Sequence, residues 1–479
     1  MNTILNEGKK TFKDLEQELY RVACDMAVDM AKEILNKKDD EIFIERDKEK
    51  YKSEGLRKTS IKTVFGVVEY ERRVYKTKNE EGKTIYIYLL DKELGLEKIG
   101  LISENLAEKI ADIATEAPYR ETASVISDTT GLSISAQGAW GLMQQVGDRI
   151  GKEEIQAVNE MNTGHTEGEK TIPILLEEMD GIWIGRQGPH HEKMSNQEVK
   201  VAVTYEGWDA EKEKEGRSTL VGKRVIAGIE NSTAFHEKRE ADIRKHYDVD
   251  EIGQRVVNGD GGSWICEPND PDAIIQLDQF HLYKEIRSKI ADKEAQRAIK
   301  ELLADKKIDE ALAYIGIYAD SVESDDKTDN RALNARKLLK YLTNNRDSLI
   351  PWMERGLKIP EPPEGVIYKN MGVQENQNCT VIAMRMKHRR MRWSESGGNN
   401  MAKALYRKEN RELHDTINRY SKELVFYKEI IEAIETLSAA KAPKKDGKGN
   451  WYADAINKHL PILDAKQTEA RKLFRKIYC

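Results

Sequence analysis

Apolar residues recur at helical spacing over residues 10–37, "KTFKDLEQELYRVACDMAVDMAKEILNK", and predict one amphipathic helix. The period then drops to two. "LRKTSIKTVFGVVEYERRVYKT" and "KTIYIYLL", parted by the turn-like "NEEG", alternate β-branched and aromatic residues with polar ones around Gly66 and Gly82. This predicts two or three short antiparallel strands. Helical spacing returns over 103–150. "SENLAEKIADIATEA" is followed by "PYRETASVISDTTG", with Pro118 near its start and Gly131 at its stop, and then by "SISAQGAWGLMQQVGDRI", with Ser135 as N-cap. Two helices, a short glycine-containing turn and a third helix is the layout of a helix-turn-helix, whose last helix can enter a major groove. Gln137, Gln144, Gln145 and Arg149 are its candidate DNA-facing residues. Three-helix arrangements without any DNA role have the same spacing.

From residue 171 the pattern turns to strands. "TIPILLEEMDGIWIG", "EVKVAVTYEGW" and "KRVIAGIE" are three successive β-like runs; the helical "AFHEKREADIRKHY", the strand "QRVVNGD" and the short run "AIIQL" follow. Three strands, a helix, a strand, and another strand before a helix is the order of an RNase H-like α/β core. Residues 282–358 read as almost entirely helical, and "KIPEPPEG" ends that run. Residues 400–440 predict a further charged helix, "KAPKKDGKGN" a flexible linker, and 452–478 a closing helix. The expected fold is therefore an RNase H-like α/β core with a large all-α insertion, preceded by an N-terminal α+β DNA-binding region containing a helix-turn-helix. The expected divisions are 1–100 (helix and basic sheet), 101–165 (helix-turn-helix), 166–281 (first part of the core), 282–365 (insertion), 366–440 (last part of the core, with a basic helix) and 441–479 (linker and final helix).

Composition changes this picture in three respects. Charged residues make up 34% of the 479 and mean hydropathy is −0.69, so two or three domains with a highly charged surface are expected. No run approaches the roughly 20 apolar residues of a membrane span, and the first 20 residues lack the apolar core of a secretory signal; a cytoplasmic protein with no membrane partner is expected. Cys24, Cys266, Cys379 and Cys479 lie far apart with no C-x-x-C pair, which argues for reduced thiols over a zinc site or disulfides. The net charge of −6 speaks against nucleic acid on average, but binding follows local basic patches. One patch is Arg57, Lys58, Lys62, Arg72 and Arg73 in the small sheet, which is open to reading as a solvated hairpin or a DNA contact. The other is "MRMKHRRMRW", where Arg385, Lys387, Arg389, Arg390 and Arg392 run up to Trp393. Such cation density gives sequence-independent affinity through counterion release, and a tryptophan can stack on an unpaired base.

The candidate chemistry lies in three carboxylates: Asp180 in "ILLEEMDGIWIG", Asp260 in "RVVNGDGGSWI" and Glu375 in "MGVQENQN". A carboxylate within or at the end of a buried strand is costly unless paired or holding a cation. Turn-forming aspartates in "MDG" and "NGDGG" are the structural alternative. Two Asp and one Glu on one sheet offer hard oxygen ligands for two Mg²⁺ ions in phosphodiester chemistry. Asp278 and His281, spaced D-x-x-H, share one face of a first helical turn and would support the site; an N-capping Asp beside a part-buried His is the structural alternative.

Taken in order, Asp180, Asp260, the D-x-x-H at 278–281, a long helical insertion and Glu375 in "GVQENQN" resemble bacterial insertion-sequence transposases of the DDE class, nearest the ISLre group and distantly Mutator-like. "IKTVFGVVEYERRVY", "LLDKELGL", "APYRETASVISDTTGLSIS" and "RMKHRRMRWSESGGNNM" carry the same resemblance, which covers about residues 40–410. It implies catalysis by Asp180, Asp260 and Glu375 with Mg²⁺ or Mn²⁺. It also implies binding of double-stranded DNA at terminal inverted repeats and target, cleavage and strand transfer, and a homo-oligomer on DNA. Glu395, in "WSES", is the alternative third carboxylate. A structure-selective nuclease with the same core and a non-catalytic helix-turn-helix regulator are the competing readings.

Overall fold

A computed structural model describes residues 11–95, 102–165, 168–262, 264–265, 271–324, 326 and 328–419. The expected linker, the helix at 452–478, Cys266 and Cys479 lie outside the described residues. The chain divides into two compact units, residues 1–38 with 424–479 and residues 39–423; the sheets and the candidate site belong to the second. The architecture is mixed α/β. Among the described residues no helix is long and apolar enough to cross a membrane.

The first helix, α1, spans Phe12–Glu45. Strands β1 (Lys52–Thr63), β2 (Gly66–Lys78) and β3 (Thr84–Ile87) follow as an antiparallel sheet, β1-β2-β3. On β2, Val68 and Tyr70 are buried while Val67, Glu69 and Glu71 are exposed, the alternation read from the sequence. The basic character of this sheet is partly neutralised. Arg73 pairs with Asp39 and Asp40 at 2.7 Å and Arg72 with Asp91 at 3.0 Å, whereas Arg57, Lys58 and Lys62 are exposed. The short α2 (Leu89–Leu94) stops at Gly95, whose φ of 70° suits glycine.

Helices α3 (Glu104–Glu116), α4 (Tyr119–Thr129) and α5 (Ala136–Asn162) come next. Ser103 and Ser135 cap α3 and α5, each hydroxyl accepting a backbone N–H of the first turn. Leu106, Ile110, Ile126, Leu142, Met143 and Ile150 are buried in the same core as the central sheet.

The central sheet is built from β4 (Ile174–Gln187), β5 (Lys193–Tyr205), β8 (Arg224–Gly228), β9 (Gln254–Gly259) and β10 (Ile274–Leu277), in the order β10-β9-β4-β5-β8. The strands β4, β5 and β8 are mutually antiparallel, while β9 and β10 run parallel to β4. Between β5 and β8 lie β6 (Gly207–Asp209), α6 (Ala210–Lys214) and β7 (Leu220–Val221); α7 (Ser232–His246) connects β8 to β9. All five runs read as strands from residue 171 onward are strands of this sheet.

The expected all-α segment consists of α8 (Gln279–Lys289), α9 (Lys293–Ala304), α10 (Ile308–Ser321) and α11 (Arg331–Asn344), packed around their own core of Ile286, Ile299, Ile315, Leu338 and Leu342. Strand β11 (Val366–Ile367) then pairs with β6, and β6 with β7, in a small sheet that the sequence pattern did not reveal.

The segment expected to hold a basic helix is broken. It comprises α12 (Gln374–Gln377), a π-helical turn at Asn378–Ala383, α13 (Met384–Met386), and β12 (Arg392–Trp393), which lies parallel to the far end of β4. Arg389 and Arg390 take left-handed backbone, φ 62° and 55°, which turns the chain out of the helix. The last described elements are α14 (Glu395–Glu409) and α15 (Leu413–Asn418). Where α5 meets α14, a Cβ at Gly147 would lie 2.3 Å from that of Asn400, so only glycine permits this approach.

Candidate metal centre

Successive side chains of a strand leave opposite faces of the sheet, so β4 separates Glu177 from Glu178 and Asp180. Glu177 is fully buried and paired with Arg255 at 2.7 Å and Arg239 at 3.4 Å. Burial pushes its carboxyl up, but the two guanidinium groups outweigh this and hold it below the usual carboxylate range.

On the other face, Glu178 is equally buried and has no ion-pair partner among the described residues. It accepts the Tyr205 hydroxyl at 2.6 Å, the Asn258 amide at 3.0 Å, and the backbone N–H groups of Gly372, Val373 and Gln374 at 2.9, 3.1 and 3.2 Å. Burial still raises its pKa despite these donors. The three N–H contacts fasten to the sheet the turn that opens α12, and α12 carries Glu375.

Asp180 lies one pleat further along. Its Oδ1 accepts the N–H of Gly181 at 2.8 Å and its Oδ2 the Asn378 amide at 2.7 Å. His281 Nε2 is 3.7 Å from Oδ2. Ligand atoms of Asp180, His281 and Glu375 all lie within 4.8 Å of one another. His281 Nδ1 is 3.0 Å from Asp278, whose other oxygen accepts the Asn258 amide at 3.1 Å. Nε2 is therefore the nitrogen turned to the cluster, oriented from behind by a carboxylate as metal-bound histidines commonly are. Asp278 is also the N-cap of α8, so both readings of the D-x-x-H spacing apply at once.

Burial pushes the Asp180 carboxyl up to about 6; His281 and the Gly181 N–H oppose this, while the charges of Asp260 and Glu375 add to it. The hydrogen bond to Asp278 raises the pKa of His281 above its ordinary value, and the charge of Asp180 adds to this. Two carboxylates and an imidazole converge here, and among the described residues Asp180 has neither Arg nor Lys as an ion-pair partner. A divalent cation would relieve this excess of negative charge.

The cluster opens into a cavity of about 510 Å³ whose lining also includes Asp260, Asn378, Lys284, Lys387 and His388. Asp260 thus shares the cavity but is not one of the three mutually close ligands, and its Oδ1 accepts the Gly262 N–H at 2.8 Å. Glu375 lines the cavity as well, as does Glu285 of α8. Glu395 is exposed and pairs with Arg186 at 2.6 Å.

The structure separates the expected DNA-facing residues. Gln137, Lys387, Arg389, Arg390 and Arg392 are exposed. Gln144 accepts from Asn400 at 3.1 Å, and Arg149 donates to the carbonyls of Thr416 and Ile417 at 3.0 Å, so both side chains are engaged within the protein. Arg385 is 4% exposed and donates to the Ala114 carbonyl. Trp393 is buried with its indole N–H on Met386, which leaves no face open for a stacked base. Apolar residues interleaved with the cations drew these two inward. Sequence reading missed Glu178, Asn258 and Asn378 as supports of the site. The i, i+2 spacing of Glu178 and Asp180 on one strand was the available signal for the first.

A Streptococcus gallolyticus protein, "UPF0236 protein in vanSb 3′ region", is 25% identical over 403 residues, spanning 82% of each chain. Two UPF0236 proteins of Caldanaerobacter subterraneus subsp. tengcongensis are similar at comparable levels. One is 26% identical over 402 residues (82% of this chain, 75% of the relative), and the other 25% over 421 (84% and 79%). The family model described as "Uncharacterised protein family (UPF0236)" matches residues 5–422, and the chain belongs to that family.

Proposed function

We propose that this protein is a DDE-type transposase, a metal-dependent polynucleotidyl transferase acting on the terminal inverted repeats of a mobile element. The observation that carries the reading is the convergence of Asp180, Glu375 and His281, with Asp260, in one cavity at the middle of the sheet. In order of appearance the five sheet strands stand 3-2-1-4-5, the first three antiparallel and the last two parallel to the first, which supports an RNase H-like core. The sequence α3-α4-α5, with Gln137 exposed at the start of α5, is compatible with a helix-turn-helix. The names of the relatives add an independent argument. One joins eleven locus designations of a single strain and another joins four, which is the multiplicity that a self-copying element leaves in a genome.

Asp180, Glu375 and His281 would hold the cation, with Asp260 able to ligate a second. Bound there, Mg²⁺ or Mn²⁺ supplies charge stabilisation to a phosphodiester undergoing displacement. The imidazole shifts preference from Mg²⁺ toward a transition ion such as Mn²⁺. Asn378 fixes the Asp180 carboxylate, Glu178 fixes the approach to Glu375, and Asp278 fixes His281. Lys284, Lys387 and His388 at the cavity wall would hold the flanking phosphates.

The test is an assay of the purified full chain on labelled duplexes ending in its own element's repeats, with Mg²⁺ or Mn²⁺. Cleaved and joined products are expected, and Asp180→Asn, Asp260→Asn and Glu375→Gln should abolish both while leaving duplex binding near normal. Glu395→Gln should remain active. Cleavage without joined product would favour a nuclease, and full activity in Asp180→Asn would sink the metal-centre reading.

A further inference from the structure

The segment from Gln377 to Arg385 has a second cavity on its other side. Asn378, Cys379 and Ala383 line the acidic cavity, whereas Gln377, Thr380, Val381, Met384 and Arg385 line a separate space of about 1000 Å³. The cations of this second cavity come from four places: Lys223 before β8, Arg385 on α13, Arg389 in the left-handed turn, and Lys408 and Arg411 at the end of α14. Only two lining carboxylates, Glu116 and Glu409, stand against these five cations. Lys408 pairs with Glu116 at 2.7 Å, Lys223 pairs with Glu409, and Arg389 pairs with Glu121 at 3.7 Å.

Arg385 distinguishes this cavity from a merely basic surface. It is 4% exposed, held by the Ala114 carbonyl at 2.7 Å and stacked near Trp393 and Tyr119, with guanidinium-to-ring distances of 5.0 and 5.6 Å. No carboxylate lies within ion-pair distance among the described residues, and its Nη2 has no hydrogen-bond partner. Burial and the charge of Arg389 both lower its pKa. A buried guanidinium without a counter-ion is costly, and its field is little screened in a low-dielectric wall. An anion in the cavity would supply the missing charge, with Lys408 and Arg411 to hold it.

We propose that this cavity is a phosphate-binding site, separated from the metal centre by the helical segment at 377–385. The phosphate would be that of a polynucleotide backbone or of a small phosphorylated molecule. Only the first source rests on the transposase reading.

The probes are pyrophosphate, followed by calorimetry on the full chain, and a fluorescent 20-nucleotide duplex, followed by anisotropy across a salt series. Lys408→Ala/Arg411→Ala removes two cations with at least partial solvent access, and Asp180→Asn serves as a control in the other cavity. Pyrophosphate should bind the parent, the double variant should weaken it at least tenfold, and Asp180→Asn should leave it unchanged. If the phosphate belongs to a backbone, pyrophosphate should displace the duplex. The double variant should then lower the slope of log affinity against log salt by roughly 2, about one for each lost phosphate contact. Pyrophosphate binding with unaltered duplex binding would assign the cavity to a small phosphorylated ligand. Failure to bind pyrophosphate, or equal affinity in the double variant, overturns the site. Since neither measurement reads cleavage, either outcome is distinct from failure of the transposase reading.

Discussion

The two faces of β4 carry buried carboxylates handled in opposite ways. On one face Glu177 meets two guanidinium groups at 2.7 and 3.4 Å and is held ionised. On the other, Asp180 meets an amide, a backbone N–H and an imidazole, and burial lifts it to about 6. Both carboxylates are largely withdrawn from water on the same strand. What separates the two acids is therefore compensation rather than burial.

Breaking that contrast should show most clearly in activity. Asp180→Asn should reduce strand cleavage by at least 10³-fold while leaving the fold intact, and Glu177→Gln should do the reverse. The second change leaves Arg239 and Arg255 undercompensated and should cost about 3–5 kcal/mol of stability by denaturant unfolding. If Glu177→Gln unfolds no more easily than the parent, the ion cluster is not what holds that face.

Glu178 sharpens the comparison, being buried without a cation yet satisfied by N–H and O–H donors. Glu178→Leu leaves the N–H groups of Gly372, Val373 and Gln374 without their acceptor. It should lose at least about 2 kcal/mol and, by displacing Glu375, on the order of 10²-fold in turnover. A loss of stability with unchanged turnover would separate Glu178 from the site.

The pH dependence of Asp180 follows from the sign of its shift. The folded protein favours the protonated acid, so its contribution to stability is complete below the ordinary Asp value of 3.8 and is lost as pH rises through about 6. The shift corresponds to about 3 kcal/mol at neutral pH in metal-free buffer. Asp180→Asn should flatten the stability profile between these two values and leave the variant more stable than the parent at pH 7. Mn²⁺ must displace this proton and that of His281, whose pKa is raised above its ordinary value, so its affinity should fall by up to about a hundredfold per unit below pH 6. An affinity independent of pH from 5 to 7 would refute the assignment of Asp180 as a ligand.

The smallest effect concerns Arg149. Removing its hydrogen bonds to the Thr416 and Ile417 carbonyls by Arg149→Ala should cost about 1 kcal/mol and leave duplex affinity unchanged. A large loss of duplex affinity without loss of stability would return Arg149 to the DNA-facing set.

Much of this was legible before the structure. Period-two alternation located β1 and β2, β-like runs located β4, β5, β8, β9 and β10, and helical spacing located α3 to α5 and the insertion, because burial imposes a pattern on each element. Asp180 and Asp260 stood out because acids beside apolar runs are costly, and Glu375 through its place before the basic stretch and in the order of motifs. Elements that depend on partners far along the chain were not legible. Strands β11 and β12 are two residues long and exist only through pairing with β6 and β4. The basic run read as a helix face, yet the left-handed turn at Arg389 and Arg390 sends Arg385 and Trp393 inward and leaves their charged neighbours outside.

The sequence by itself determined the longer helices and strands and which acids are out of place, since both follow from local periodicity and the cost of burying charge. Tertiary structure alone decided which acids have a counter-ion. Asp180 and Glu375 are 195 positions apart and Glu177 and Arg255 are 78 apart, and no local pattern reports whether a guanidinium or a second carboxylate will arrive beside a given strand.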